Sequence, residues 1–127
     1  MLAPDYQGET ANCVLIGRLL GRMTDKWTVL IVRVLGHGPR RFNALRRDVG
    51  EISQKVLAST LRDLEENGLV SRTVTPVNPP QVEYALTDLG QEFLCPIRGL
   101  AEWVLENGPR IEAARRAYAG RSVLERR

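Results

Sequence analysis

The sequence predicts a mainly helical α+β domain whose β-structure is one small hairpin, and three observations carry this. Apolar residues recur at helical spacing through both ends of the chain. Apolar–polar alternation rich in β-branched residues is confined to two short runs, 70–75 (VSRTVT) and 81–86 (QVEYAL). The turn-forming stretch Val77-Asn78-Pro79-Pro80 separates those runs. At 127 residues, 43% hydrophobic and 26% charged, the chain fits one folded domain rather than two or a disordered polymer.

Each element follows from local chemistry. Cys13, Ile16, Leu20 and Met23 share one face of a helix over residues 10–23. A second helix, Trp27 to Leu35, has Trp27, Leu30, Ile31, Val34 and Leu35 as its stripe, with Thr24 or Asp25 as cap. Gly36-His37-Gly38-Pro39 breaks it, and a short helix near 43–49 follows, with Phe42, Leu45 and Val49 apolar. The fourth helix is the best specified. Ser53 is its N-cap, Ile52 and Leu57 stand at the positions of a hydrophobic staple, and Leu57, Leu61 and Leu64 face inward. Asn67-Gly68 ends it, Gly68 supplying the left-handed residue. After the hairpin, Thr87 caps a long helix to about Glu106, where Asn107-Gly108-Pro109 should stop it. Pro96 should kink or break that helix. A basic stretch follows, with room for one more helix.

Net charge is +3, but its distribution says more. Residues 38–62 carry six Arg/Lys against two acids, residues 108–127 six Arg against two Glu, and residues 83–107 one Arg against five acids. Such patterning points to a polyanionic partner. Three helices followed by a fourth and a hairpin are the layout of a winged helix-turn-helix, in which one helix enters the major groove of DNA. The helix from Ser53 is the natural reader. Lys55, Ala58, Ser59 and Arg62 lie on its outward face, and Gln54 and Lys55 at its N-terminal end match the side chains that bond adenine and guanine. Arg40, Arg41, Arg46 and Arg47 flank it as phosphate contacts, which fix register. Arg72, Asn78 and Gln81 stand at or near the hairpin, in reach of the minor groove or backbone. A basic helix face is also what a solvated surface looks like, and winged helices also bind proteins, so a protein-interaction module is the rival reading.

Several long motifs in order then resemble one family, the HxlR-type transcriptional regulators. They are KWT (Lys26–Thr28), GPRRFNALRR (Gly38–Arg47), ISQKVLASTLRDLEENGLV (Ile52–Val70), PPQVEYALTDLG (Pro79–Gly90) and LCPIRGLAEW (Leu94–Trp103). The resemblance covers roughly residues 13–105. It implies a homodimer on a pseudo-palindromic operator, with Ser53–Leu57 opening the recognition helix and the terminal helices building the dimer. The domain map is then a single domain: an N-terminal dimerisation helix (10–23), a DNA-binding core (24–86), C-terminal dimerisation helices (87–121) and a basic tail (122–127). The residues support this independently. Leu89, Phe93, Ile97, Leu100 and Val104 form one seam and Leu94, Ala101 and Leu105 widen it, more apolar surface than a small core needs. With Ile16 and Leu20 these seam residues are the expected dimer interface. A repressor is the expected role, since no added activation domain is seen.

The resemblance also implies a signal, through an electrophile- or oxidant-sensing cysteine or a small effector. Family members often carry a cysteine followed by proline at the start of the first helix. Cys13 stands near that place but precedes Val14 and lies one residue further from Trp27. Its chemistry reads two ways: a thiol near a helix N-terminus is activated, whereas a thiol on an apolar face acts as a small hydrophobe. Cys95, in the seam, reads as core. Trp27 reads as a core anchor, and Trp27, Tyr84, Phe93 and Trp103 are the aromatics that can line an effector pocket.

The exclusions are broad. No Ser-His-Asp set, metal-ligand spacing or phosphate-binding glycine loop is present, and the lone His37 sits in a turn between two glycines. No catalytic residue, metal or cofactor is expected. The two cysteines are too few for a disulfide scaffold. There is no secretory signal and no apolar run long enough for a bilayer, so a cytoplasmic protein without a membrane partner is expected.

Overall fold

The computed structural model describes residues 6–125. In chain order these form α1 (Tyr6–Met23), α2 (Lys26–Leu35), β1 (Arg40–Arg41), α3 (Phe42–Val49), α4 (Gln54–Glu66), β2 (Val70–Thr75), β3 (Gln81–Leu86) and α5 (Asp88–Glu125). The chain divides into two compact units, one reaching to Leu94 and one beginning at Cys95, so the boundary falls inside α5.

In the first unit the helix ends are set by the residues that the sequence marks. Asp25 caps α2, its carboxylate accepting from the amides of Trp27 (2.7 Å) and Thr28 (3.1 Å). The Ser53 hydroxyl accepts from the amide of Val56 at 3.1 Å and starts α4. Both staple residues, Ile52 and Leu57, are buried. α4 ends in a Schellman motif: the amide of Leu69 donates to Leu64 O (2.9 Å) and that of Gly68 to Glu65 O (3.1 Å). Gly68 takes a φ of 75°, which disfavours any side chain there.

The core is one cluster of α2, α3, α4 and the start of β2. Ile31, Val32, Leu35, Leu45, Leu57, Leu61, Leu64, Leu69 and Val70 are buried, and Leu94 joins them from α5. Trp27 is only half-buried, with the Lys26 ammonium 4.5 Å above its ring, so it is not the core anchor expected.

The hairpin is part of a larger sheet. β2 and β3 pair antiparallel from Val70↔Leu86 to Thr75↔Gln81, and β1 adds a third strand through Arg40↔Tyr84 and Arg41↔Glu83. The order is β1-β3-β2. A two-residue strand shows no alternation, which is why the sequence reading stops at two strands.

The second unit is the remainder of α5, which runs helical through both Pro96 and Pro109 to Glu125. The expected stop at Asn107-Gly108-Pro109 does not occur. A proline removes one backbone bond. Beside Pro109, Asn107 supplies side-chain bonds, its amide donating to Trp103 O (2.9 Å) and its oxygen accepting from Arg110 (3.1 Å). Cys95 is exposed, not core. Ile97 is buried within the single chain at 2% exposure, so it leaves the expected interface set.

Candidate nucleic-acid interface

The reader helix is presented by burial on its other sides. Leu57, Thr60, Leu61 and Leu64 fix the inward face of α4, while Gln54, Lys55, Ser59 and Arg62 remain exposed. Thr60 spends its hydroxyl on Val56 O at 2.8 Å, so its burial leaves no polar atom unpaired. The exposed set therefore points away from the core as one surface, with Gln54 and Lys55 in the first turn.

The turn between α3 and α4 is held by side-chain bonds that the sequence pattern does not reveal. Arg46 is half-buried and its Nε donates to Ile52 O at 2.9 Å, across the turn in which Gly50 takes a φ of 115°. Arg46 thus braces the turn that aims α4. Arg40 is likewise engaged. Its Nε pairs with Asp48 at 3.0 Å and its Nη1 donates to Gly38 O and Pro39 O, so it ties β1 to α3. Arg41 donates to the Gln81 side-chain oxygen and joins β1 to the base of the wing. These three arginines and Gln81 were expected as free contacts; their first partners are within the protein.

Arg47 is exposed and has no side-chain partner among the described residues. It lines a cleft at the turn with Asn43, Arg46, Gly50, Glu51 and Ile52. A second cleft joins α4 to the sheet and brings Arg62 and Arg72 together with Ala58, Leu61, Glu65 and Tyr84. Asn78, in the wing turn, is exposed. The interface is therefore two basic clefts on either side of an exposed helix face, the first-turn end of which carries amide and ammonium donors. That arrangement can hold phosphates on both flanks while side chains reach base edges.

The profile of the HxlR-like helix-turn-helix family matches residues 22–112, which spans this whole arrangement. The chain belongs to the HxlR-like helix-turn-helix family. It is 42% identical over 97 residues to the HTH-type transcriptional regulator YtfH of Escherichia coli, covering 76% of this chain and 77% of YtfH. The solved structure of the transcriptional regulator YtfH from Salmonella typhimurium superposes with a TM-score of 0.73 at 41% identity, covering 78% of this chain and 88% of that one. The redox regulator HypR in its reduced form matches with a TM-score of 0.72 at 33% identity, over 77% of this chain and 97% of that one. As a member of this family the chain is a helix-turn-helix transcriptional regulator, and the fold it shares is mainly helical with a small three-stranded sheet.

Two residues of the clefts were missed in the sequence, Asn43 and Tyr84. Tyr84 was legible in principle. The turn Thr75–Gln81 fixes the hairpin register, and that register sets Tyr84 opposite Arg72. The four aromatics expected to line one effector pocket do not assemble. Phe93 lines a groove of about 430 Å³ with Leu19, Arg22, Met23, Asn67, Leu69, Leu89 and Glu92. Tyr84 lines the α4 cleft instead, Trp27 lines neither, and Trp103 is 54% exposed in the second unit. Cys13 is exposed on α1, not packed on an apolar face. Among the described residues no helix is long and apolar enough to cross a membrane.

Proposed function

We propose that this regulator is a homodimeric repressor that grips a pseudo-palindromic operator, with α4 of each protomer in the major groove. The observation that carries the reading is the exposed face Gln54, Lys55, Ser59 and Arg62 on a helix whose other sides are buried. Arg47, Arg62 and Arg72 are the phosphate contacts best free to act, Ser53 closes the helix start, and Asn78 meets the backbone or minor groove. Arg40, Arg41, Arg46 and Gln81 serve the interface by positioning it.

Dimerisation is supported by apolar residues that the single chain leaves exposed. Ile16, Leu20, Leu89, Leu100 and Val104 are each about half exposed, and Phe93 is half-buried. Uncovered apolar surface of this kind calls for a partner, and a second copy supplies it.

The test is an anisotropy titration of the reduced protein against duplexes from its own upstream region and a scrambled duplex, at two salt concentrations. Tight, selective and salt-sensitive binding is expected. Arg47→Ala should weaken both duplexes by the same factor and lower the salt slope by about 1. Weak binding, equal for the two duplexes, would favour the rival module that binds protein.

A signal through Cys13 is the accompanying reading, favoured by the exposure of its thiol and by the likeness to a regulator described as redox-responsive. Treatment with diamide should lower operator affinity of the wild type about tenfold or more, and Cys13→Ser should abolish that response. An equal response in the variant would remove Cys13 from the mechanism.

A further inference from the structure

The chain's net positive charge sits in one place. Residues 108–127 hold six arginines and two glutamates, whereas the whole chain is only +3, so residues 1–107 together are slightly negative. A protein that must meet a polyanion carries its surplus charge on the last stretch of α5. That stretch mostly lies past the family match, which ends at residue 112.

This segment is ordered and slim. α5 is helical through Pro109 to Glu125, and residues 109–121 are exposed throughout. Ala113, Ala114, Ala117 and Ala119 are strong helix formers that hold it in shape without tertiary packing. Between Pro109 and Arg121 the only large apolar side chains are Ile111 and Tyr118. Two such residues are far short of a protein interface of about 800 Å² per partner. Charge, not burial, is what this surface offers. Arg115 and Arg116 are exposed, and neither has an ion-pair or hydrogen-bond partner among the described residues, although Glu112 stands one turn before them.

We propose that this arm of α5 is a second DNA contact, in which Arg115 and Arg116 bind phosphates and add sequence-independent affinity to that of α4. The proposal rests on the DNA-binding reading above. Phosphate contacts release counterions, so each contributes about 0.9 to the slope of log affinity against log salt.

The test uses the full chain, as wild type, as the double variant Arg115→Ala/Arg116→Ala and as Arg115→Lys/Arg116→Lys. Each is titrated with an upstream-region duplex and a scrambled duplex from 50 to 200 mM salt. Because two phosphates go unpaired in the alanine variant, its gap from the wild type should narrow about 12-fold across that range. The ratio between the two duplexes should stay unchanged, and the lysine variant should keep the wild-type slope. Circular dichroism should be the same for all three, because both side chains are exposed.

An alanine variant with the wild-type slope overturns the proposal while leaving the role of α4 intact. So does a variant that loses affinity only for phosphatidylglycerol vesicles, which would make the arm a membrane contact. A wild type that binds neither duplex at 50 mM salt overturns the DNA reading itself and this proposal with it.

Discussion

Gly90→Ala should lower the stability of the protein by about 2–3 kcal/mol, read as a fall in the melting temperature of roughly 10 °C or more. A Cβ built at Gly90 meets Leu69 O at 2.1 Å, Leu69 C at 3.1 Å and the Leu86 Cβ at 3.2 Å. The first obstacle is backbone, so no side-chain rotation relieves it. That same carbonyl accepts the amide of Thr87 at 3.1 Å, and moving it breaks the entry of α5. Overpacking of this kind costs about 3 kcal/mol or more, and the better helix propensity of alanine returns about 1 kcal/mol. Thermal unfolding followed by circular dichroism measures the net. An unchanged midpoint would mean that α5 does not approach the Leu69 backbone so closely. Gly17 and Gly21 of α1 have nothing within 4 Å of an added Cβ, so alanine there is the natural control.

The second large effect concerns selectivity. Gln54→Ala and Lys55→Ala should each flatten the preference for one base pair per half-site, at a cost of about 1–3 kcal/mol in discrimination. Both side chains are exposed in the first turn of α4, so stability should stay within about 0.5 kcal/mol of the wild type. Competition binding with single-substitution duplexes reads the profile position by position. Two variants with the wild-type profile would show that another element reads the bases. The contrast with Arg47→Ala, which weakens all duplexes alike, separates reading from holding.

The parts of the fold that were legible are those specified by short-range chemistry. Ser53, Gly68 and Thr87 mark helix ends through bonds that one side chain or one φ angle decides, and all three are found in those roles. The seam of α5 was legible as apolar but not as to which part the chain covers itself. Leu94 and Ile97 are buried and Leu100 and Val104 are not, yet all four share one helical pattern. Periodicity gives a face and never its occupant. The reader face was legible for the same reason as the core, being its complement on α4. The roles of Arg40, Arg41 and Arg46 were not, because their partners lie 8, 40 and 6 residues away and no local rule links them. Pro109 misled because a breaker is judged by the bond it removes. The bonds of Asn107 beside it appear only when the helix is seen.

Thr87 has a wider consequence. Its hydroxyl donates to Gly68 O at 2.6 Å and accepts from the amide of Gly90 at 3.1 Å, while its own amide donates to Leu69 O. One residue therefore locks the exit of α4 to the entry of α5, and the seventeen-residue excursion through β2 and β3 leaves from and returns to that lock. Fraying of the wing tip stops there. Opening of the lock, by contrast, releases both helix ends at once. The reader's C-terminus and the first turn of α5 thus form one cooperative opening unit, separate from the wing.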